Sequence, residues 1–244
     1  MEQRCLSYFV ADVHLGLRTA DPVEREERFL KFLDGIPVER TRTLWLLGDI
    51  WDFWYEYRDV VPREGARVVA RLIMLMNAGV EVCFFPGNHD IWTYSFFESL
   101  GMKKFSQPAL VEIDGRSFCL GHGDCLGKVE RSYVFMLSVF RNKLAQRLFS
   151  SLHPWLGYRL GLRWSNSSRR SHKGYVFDPE NNPLRGYVEE YAAAHKVDYF
   201  IFGHYHQNLD TTLAGGERFV IVGDWLSGGM PHAVFDGREL ITSF

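Results

Sequence analysis

Cysteine is scarce in this 244-residue sequence, and it is not arranged for disulfides or for a zinc site. The four cysteines (Cys5, Cys83, Cys119 and Cys125) include no C-x-x-C pair, and three lie in apolar runs, where a thiol is usually a small buried hydrophobe. No run approaches the roughly 18 apolar residues of a transmembrane helix, and no signal-peptide-like segment opens the sequence. The formal net charge of −2 argues against a chain-wide affinity for nucleic acid. These absences predict a globular protein of the reducing cytoplasm.

Hydrophobic and charged residues are present in ordinary proportions, 46% and 24%, and predict one domain over residues 1–244 with an insertion. Two helical patterns, Val23–Leu33 and Pro62–Ala78, lie between the first three of five apolar runs and predict a βαβαβ beginning. After Gly101, alternating strands and glycine-containing turns predict mixed sheets, and a further helix is predicted over Leu184–His195. Each apolar run ends in polar residues: CLSYFVAD, TLWLLGD, VEVCFFPGNHD, RSFCLGHGD and DYFIFGHYH.

The residues at these strand ends are of the types that bind divalent cations, and such ends converge on one crevice in α/β folds. They are Asp12, His14, Asp49, Asp52, Asn88, His89, Asp90, His122, Asp124, His204 and His206. Carboxylate, imidazole and amide oxygen suit Mn²⁺, Zn²⁺ or Fe²⁺, whereas a structural zinc site would favour thiolates. In D-x-H and H-x-H pairs on extended segments both side chains point the same way, so each pair can grip one site. Seven of these residues as ligands would be too many for one ion. They suit two ions about 3.5 to 4 Å apart that share a carboxylate and clamp a phosphoryl group.

Taken singly, each of these motifs has a plainer interpretation. Asp12 after a strand is more often a helix cap or turn residue than a ligand, and the GD of LGDIWD and the GNHD segment are more often turns. Five such motifs, each ending an apolar strand, are unlike a chance distribution, and five of the nine histidines lie in them. The conjunction therefore favours a metal centre, while His153, His172, His195 and His232 are interpreted as ordinary histidines.

With these motifs the sequence resembles the calcineurin-like metallophosphoesterases, whose pattern D-x-H, GD-x-x-D, GN-H-D/E, GH and GH-x-H it meets from Tyr8 to Asp224. The resemblance implies an α/β fold, a four-layered α/β/β/α sandwich, and a metal-dependent phosphoric ester hydrolase. It also implies two metal sites. The first would be held by Asp12, His14, Asp49 and His206, and the second by Asp49, Asn88, His122 and His204. Mn²⁺ is the ion that the resemblance favours.

His89 and Asp52 complete the catalytic residues that the resemblance implies. His89 corresponds to the family's histidine near the leaving oxygen, where it acts as general acid or as a partner for developing charge. Asp52 matches the carboxylate that orients this histidine.

A closer resemblance is to the UDP-2,3-diacylglucosamine hydrolases of lipid A synthesis, which carry GDxxDxW, here GDIWDFW, and a helical insertion after HGD. That family cleaves the pyrophosphate of its substrate to UMP and 2,3-diacylglucosamine 1-phosphate. Glu130 and Tyr133 fall at the positions of its substrate-contacting acid and tyrosine, and Asn88 is also implied to contact substrate. The sequence departs from the best-known members at His89, where they have arginine in GNRD.

The insertion, predicted as a helical lid over residues 126–174, is strongly basic and apolar. It has one acidic residue, Glu130, and ten basic residues: Lys128, Arg131, Arg141, Lys143, Arg147, Arg159, Arg163, Arg169, Arg170 and Lys173. Leucines and aromatics recur among them at helical spacing, which is typical of a helix on an anionic lipid surface. We therefore predict peripheral association with the cytoplasmic face of the inner membrane, a lipid-linked nucleotide as substrate, and Arg163, Arg169, Arg170 and Lys173 as candidate substrate contacts.

Several alternatives stay open at this stage. The insertion could be a helical cap whose cations only solvate its outer face, or a nucleic-acid groove with Tyr133, Trp155 and Trp164 as stacking platforms. The substrate could be another phosphodiester or phosphomonoester, such as a nucleotide or a phosphoprotein. A binding or scaffold protein with an inactive site is the alternative from another class, although no ligand of the pattern is missing here. The sequence gives no indication of the oligomeric state.

Overall fold

Two mixed β-sheets form the centre of the chain, seen in a computed structural model that describes residues 4–19, 21–171 and 177–244. The first sheet has the order β11-β10-β1-β2-β3-β4, and the second has the order β5-β6-β7-β9-β8. The strands of the first sheet are β1 (Leu6–Val10), β2 (Thr41–Leu46), β3 (Glu81–Phe84), β4 (Lys103–Lys104), β10 (His232–Phe235) and β11 (Leu240–Ser243). Those of the second are β5 (Ala109–Ile113), β6 (Arg116–Leu120), β7 (Tyr199–Phe202), β8 (Leu209–Thr212) and β9 (Arg218–Ile221).

Each sheet has a run of parallel strands, with antiparallel pairing on one side of that run in the first sheet and on both sides in the second. In the first sheet β1 to β4 are parallel, and β10 runs antiparallel to β1. In the second, β6, β7 and β9 are parallel, with β5 and β8 antiparallel at the edges. The β5–β6 hairpin turns at Asp114 and Gly115, both at positive φ as tight hairpin turns require. The prediction of mixed sheets after Gly101 is confirmed.

The helices lie on the outer faces of the two sheets, and several of them come between β6 and β7 in the order of the chain. Their bounds are α1 (Pro22–Asp34), α2 (Ala66–Asn77), α3 (Phe96–Ser99), α4 (Arg131–Arg141), α5 (Lys143–Ser150), α6 (Pro154–Ser171) and α7 (Pro183–Ala194). Asp21 caps α1 by accepting from the amides of Val23 and Glu24, and Asn182 caps α7. The predicted start of α2 at Pro62 is wrong. The helix begins at Ala66, because Gly65 adopts the left-handed conformation at φ +74° and the chain turns there.

Side-chain alternation along the strands produces four layers. In β1, Phe9 faces the space between the sheets, while Val10 faces α1 and α2. In β7, Ile201 lies between the sheets and Phe200 packs against α7. Three apolar clusters therefore stack as helices, sheet, sheet and helix, which confirms the predicted α/β/β/α sandwich.

The helices α4, α5 and α6 lie in the predicted insertion and share a fourth, smaller cluster with the body of the protein. Phe140 of α4 and Phe149 of α5 pack against Trp92, and Tyr55 contacts Phe149 at a ring distance of 4.6 Å. Phe53 belongs to the same cluster. Among the helices described, none combines the length and the apolar character needed to cross a bilayer.

Candidate metal centre

The loops that follow the strands hold most of the predicted ligands in an unusual backbone conformation. Asp12, His14, Asp49, His204 and His206 all have φ between 51° and 73°, in the left-handed region that non-glycine residues seldom adopt. Such residues persist only where the surrounding structure fixes them, and they cluster at functional sites. The local fold therefore specifies how these five side chains leave the backbone.

Backbone hydrogen bonds bring the loops of the two sheets together. The amide of Asp12 donates to the carbonyl of Gly48 at 3.1 Å, and that of His14 donates to Asp49 at 2.9 Å, so the loops after β1 and β2 run side by side. From the second sheet, the His204 amide donates to Asp12 Oδ2 at 2.8 Å. A metal-ligating carboxylate and a histidine segment are thereby joined across the sandwich.

One group of side chains consists of Asp12, His14 and His206. The Nε2 atoms of both histidines lie 3.5 Å from Asp12 Oδ1 and 3.3 Å from each other. Asp12 is fully buried, and its Oδ1 has no hydrogen-bond partner among the described residues. A buried carboxylate oxygen facing two ring nitrogens is costly unless a cation or proton lies among them.

A second group surrounds Asp49. His122 Nε2 lies 3.3 Å from Asp49 Oδ2 and 3.2 Å from Asn88 Oδ1. The ring of His204 lies 5.1 Å from that of His122. A Cβ at Gly87 would lie 2.2 Å from Asp49 Oδ1, so only glycine allows this close approach.

Asp49 lies between the two groups, because its Oδ2 is also 4.0 Å from His14 Nε2. Three carboxylate and histidine sets have ligand atoms within 4.8 Å of one another: Asp12, His14 and His206; His14, Asp49 and His89; and Asp12, Asp49 and His122. The structure thus brings the predicted ligands into adjacent groups with Asp49 at the centre.

Hydrogen bonds at Nδ1 orient two of the histidines. His122 Nδ1 donates to the carbonyl of Leu47 at 2.9 Å, and His206 Nδ1 faces Asp224 Oδ2 at 2.9 Å. A carbonyl or carboxylate oxygen accepts, so Nδ1 carries a proton and Nε2 is the ring nitrogen that faces the site. This is the usual arrangement behind a histidine that binds a metal.

The charges of the site also match a divalent cation. Burial works against ionisation, yet the nearby histidines lower the pKa of Asp12, and they hold the pKa of Asp49 well below its usual range. Burial also disfavours a charged His122, but Asp49 raises the pKa of that ring well above its usual value. Burial, together with His122, lowers the pKa of His204 to about 3, so His204 is neutral as a ligand must be. The donor set of nitrogen and oxygen atoms fits divalent metal ions.

His89 and Asp52 lie beside the centre, with contacts that differ in part from the prediction. His89 Nδ1 lies 3.0 Å from the backbone carbonyl of Asp52 and 3.8 Å from its Oδ1. The Asp52 carboxylate is closer to His14, at 3.4 Å from Nδ1. Its other oxygen accepts a hydrogen bond from Ser165 Oγ at 2.9 Å. The carboxylate of Asp52 therefore lies closer to a predicted metal ligand than to His89, which contacts the Asp52 backbone instead.

Three residues at the site were given no specific function by the sequence-based prediction, although Asp90 was among its strand-end residues. Asp224, in the segment VIVGDW after β9, supports His206; the glycine–aspartate pair at a strand end was its signal. Asp90 accepts from four backbone amides, including those of Gly87 and Ile50, and ties two ligand loops together. Burial and the Asp49 carboxylate raise the pKa of Asp90 to about 7 despite these bonds. Ser165, far along the chain on α6, begins a run, SNSSRRSHK, whose hydroxyls and cations the sequence suggests for a pyrophosphate, but nothing in the sequence links it to the metal centre.

The predicted substrate contacts are placed less uniformly than the ligands. Tyr133 on α4 lies near the centre, with its ring 6.4 Å from that of His204. Its hydroxyl is buried without a hydrogen-bond partner in the described part of the chain, and burial raises the pKa of this phenol. Glu130 and Arg163 are exposed, and no hydrogen bond or ion pair joins either to the ligand residues in the ranges described. The side chains of Arg169 and Arg170, and all of Lys173, lie outside the described residues.

Comparison with known proteins agrees with this geometry. A UDP-2,3-diacylglucosamine hydrolase of Porphyromonas gingivalis is 37% identical over 96% of this chain and 95% of its own length. One of Serratia proteamaculans is 29% identical, with 96% and 97% covered. Among solved structures, an archaeal phosphodiesterase covers 98% of both chains at 13% identity and a TM-score of 0.47. The family profile of the calcineurin-like phosphoesterases matches residues 7–208, which include every ligand found above. The chain that builds this carboxylate and histidine centre belongs to the calcineurin-like phosphoesterases.

Proposed function

We propose that this protein hydrolyses the pyrophosphate bond of UDP-2,3-diacylglucosamine with two metal ions, releasing UMP and 2,3-diacylglucosamine 1-phosphate. The observation that carries the proposal is the grouping of Asp12, His14 and His206 next to Asp49 and His122. The Porphyromonas relative, which is named for this substrate and matches nearly the whole chain, supports the choice among phosphoesters.

In this proposal Asp12, His14, Asp49 and His206 hold one ion, and Asp49, Asn88, His122 and His204 hold the other. We propose Mn²⁺ in both sites, since nitrogen and oxygen donors accept it. Bound ions of this kind supply Lewis-acid stabilisation of phosphoryl oxygens and activate water near neutral pH.

His89 would act on the leaving oxygen. Its Nδ1 faces the Asp52 carbonyl, which can only accept, so Nδ1 carries a proton in that contact. Proton exchange with the substrate would then use Nε2. The His89 amide donates to Asp49 Oδ1 at 2.8 Å, which keeps the ring next to the metal-binding carboxylate.

Substrate recognition is assigned to the insertion, which we take as residues 126–174. The unpaired and buried hydroxyl of Tyr133 could hydrogen-bond to a substrate oxygen without breaking a contact within the described chain. Asn88 would contact substrate from the ligand set. Glu130 and four cations, Arg163, Arg169, Arg170 and Lys173, are the remaining proposed contacts for the sugar and the pyrophosphate.

The outer surface of the insertion supports peripheral binding to an anionic membrane on the cytoplasmic side. Leu144 and Leu148, one turn apart on α5, are 66% and 64% exposed, and Trp155 on α6 is 62% exposed. Lys143 and Arg147 flank the two leucines. These two cations, together with Tyr94 and Ser150, line an open cavity of about 500 Å³. Apolar side chains with cations beside them match a surface of acyl chains and phosphate headgroups.

The test is hydrolysis of UDP-2,3-diacylglucosamine by the metal-loaded full chain, with detergent present, compared with UDP-glucosamine that lacks acyl chains. We expect UMP release from the acylated substrate and at least about a hundredfold lower kcat/KM without the chains, because the apolar contacts of the insertion would be lost. Equal turnover of both substrates would contradict the lipid assignment, and a lack of any phosphoesterase activity would contradict the proposal as a whole.

A further inference from the structure

We infer that Ser165, on the insertion helix α6, is a positioning residue of the metal centre: its hydroxyl orients the Asp52 carboxylate, which in turn orients the ligand His14. The insertion would then contribute to metal binding as well as to the substrate surface. The inference rests on the proposed metal-binding role of His14 and assigns a further residue to it.

The hydrogen bond from Ser165 to Asp52 is fully enclosed. Ser165 Oγ lies 2.9 Å from Asp52 Oδ2, and both side chains have no exposed surface. Asp52 Oδ1 lies 3.4 Å from His14 Nδ1. Because the two oxygens of one carboxylate face different partners, the contact at Oδ2 fixes the rotation of the group and hence the position of Oδ1.

Helix α6 reaches Asp52 because small residues line the face that it presents to the body. Gly157, Gly161 and Ser165 recur at intervals of four residues, so they lie on one side of the helix. A Cβ at Gly161 would lie 2.2 Å from the ring of Phe53, and one at Gly157 would lie 2.0 Å from the hydroxyl of Tyr57. Any larger side chain at these glycines would push α6 away from the loop that carries Asp52.

A second contact from α6 reaches the centre next to Ser165. The ring of Trp164 lies 5.6 Å from that of His89, and His89 in turn lies 5.1 Å from His14 in an edge-to-face arrangement. Further along the helix, the ring of Tyr158 lies 5.7 Å from that of Phe53. The helix is therefore seated on the residues around the metal centre along several turns.

The expected effect on metal binding follows from the chemistry of the pair. A carboxylate that accepts from the Nδ1–H of a ligating histidine fixes its ring and increases its basicity, and loss of such a partner weakens metal binding. Without the Ser165 hydroxyl, Asp52 Oδ2 would lose one hydrogen bond in a buried position, and the rotation of the carboxylate would be less firmly fixed. His14 would then present Nε2 less accurately.

The test is calorimetric titration of the metal-free full chain with Mn²⁺. We expect Ser165→Ala to weaken the binding by about threefold to tenfold, the equivalent of one hydrogen bond, and Ser165→Thr, which keeps the hydroxyl, to restore it to within about twofold. Ser138→Ala is the matched control, because Ser138 on α4 donates only to the local Phe135 carbonyl. Wild-type affinity in Ser165→Ala would overturn the inference.

A second variant tests the seating of the helix. Gly161→Ala keeps the serine at position 165 but displaces α6, so it should weaken Mn²⁺ binding by a similar factor. The double variant with Ser165→Ala should be no weaker than the worse single variant, since both changes break one contact. Additive losses would contradict the inference. Thermal unfolding without metal checks that each chain is folded. If the wild-type chain itself binds no Mn²⁺, the proposed function fails as well, whereas wild-type binding with unaffected variants refutes only the role of Ser165.

Discussion

The body of the protein and its insertion treat charged residues in different ways. Among the described residues outside the insertion, eleven lysine and arginine side chains form ion pairs with carboxylates, as Arg42 does with Asp114 and Arg71 with Asp34, both at 2.7 Å. In the described part of the insertion none of the basic side chains does so. These are Lys128, Arg131, Arg141, Lys143, Arg147, Arg159 and Arg163. Within the described residues these cations therefore have no carboxylate partner, and the proposed anionic membrane surface would supply one.

The exposure of apolar side chains also differs between the two regions, and it is greater in the insertion. The body buries its large side chains in three continuous clusters, in which residues such as Phe9 and Trp51 have no exposed surface. The insertion leaves Phe135 70% exposed, and Leu144 and Trp155 almost as exposed. An exposed apolar surface with unpaired cations marks an interaction site rather than a failure to fold. This exposed surface is consistent with the membrane contact proposed above for the insertion.

The contrast between the two regions requires that the catalytic residues lie in the body. We expect Asp49→Ala to reduce kcat by about a thousandfold or more, because Asp49 would serve both ions. The measurement is UMP release from the acylated substrate. Glu112→Ala, which removes an exposed carboxylate on β5, is the control and should keep full activity. Substantial turnover in Asp49→Ala would refute the shared ligand.

The insertion's cations offer the next largest effect. Neutralising Lys143, Arg147 and Arg159 together, each to Gln, should lower partition onto vesicles with anionic phosphatidylglycerol by about a hundredfold, since each charge near such a surface contributes about 1 kcal/mol. Sedimentation with the vesicles measures it.

The control for the cations carries equal charge loss on the body. Lys31→Gln, Lys196→Gln and Arg238→Gln in one chain remove three exposed cations outside the insertion and should change partition little. Equal losses in the two triple variants would mean that net charge alone governs binding, which would erase the distinction between the two regions.

Asp224 tests how the body supports its ligands. Asp224→Asn should weaken Mn²⁺ binding by about tenfold, because the carboxylate behind His206 would lose its charge. Calorimetric titration of the metal-free protein measures the change. Asp236→Asn, in a turn before β11, removes a carboxylate remote from the centre and should leave the affinity unchanged. An unaltered affinity in Asp224→Asn would show that His206 needs no such support.

The smallest expected effect concerns the exposed leucines. Replacing Leu144 and Leu148 by serine should change the free energy of unfolding by less than about 1 kcal/mol, because both are largely exposed. By contrast Leu72→Ala, in the fully buried core of the body, should lower it by about 3 kcal/mol. Urea denaturation measures both. A loss at Leu144 and Leu148 as large as that at Leu72 would mean that the leucines pack within the protein.

The grouping of the candidate ligands was predictable because they come in short local motifs at the ends of apolar strands. Asp12 with His14, and His204 with His206, can be recognised within a few residues. The order of strands in the two sheets then brings these segments together. The mixed sheets followed from the strand patterns, whereas the four layers were implied by the resemblance to the family. The start of α2 was mispredicted, because the pattern gave more weight to Pro62 than to the left-handed turn at Gly65.

Contacts between distant segments could not be predicted in this way. The partners Ser165 and Asp52 are separated by 113 positions, and neither residue lies in a pattern that requires the other. The same holds for Tyr133, whose place beside His204 depends on how α4 packs. A sequence pattern shows which side chains share a strand end, whereas the seating of a helix depends on the shape of both surfaces, as at Gly161.

The left-handed backbone at Asp12, His14, Asp49, His204 and His206 has a consequence for the evolution of this fold. A non-glycine residue in that conformation costs on the order of 1 kcal/mol, and the folded chain carries that burden whether or not it turns over substrate. A descendant released from selection for hydrolysis could therefore gain stability simply by placing glycine at these positions. The five side chains proposed to bind metal are what glycine could not supply, so in this chain the proposed chemistry and the relief of backbone strain oppose each other.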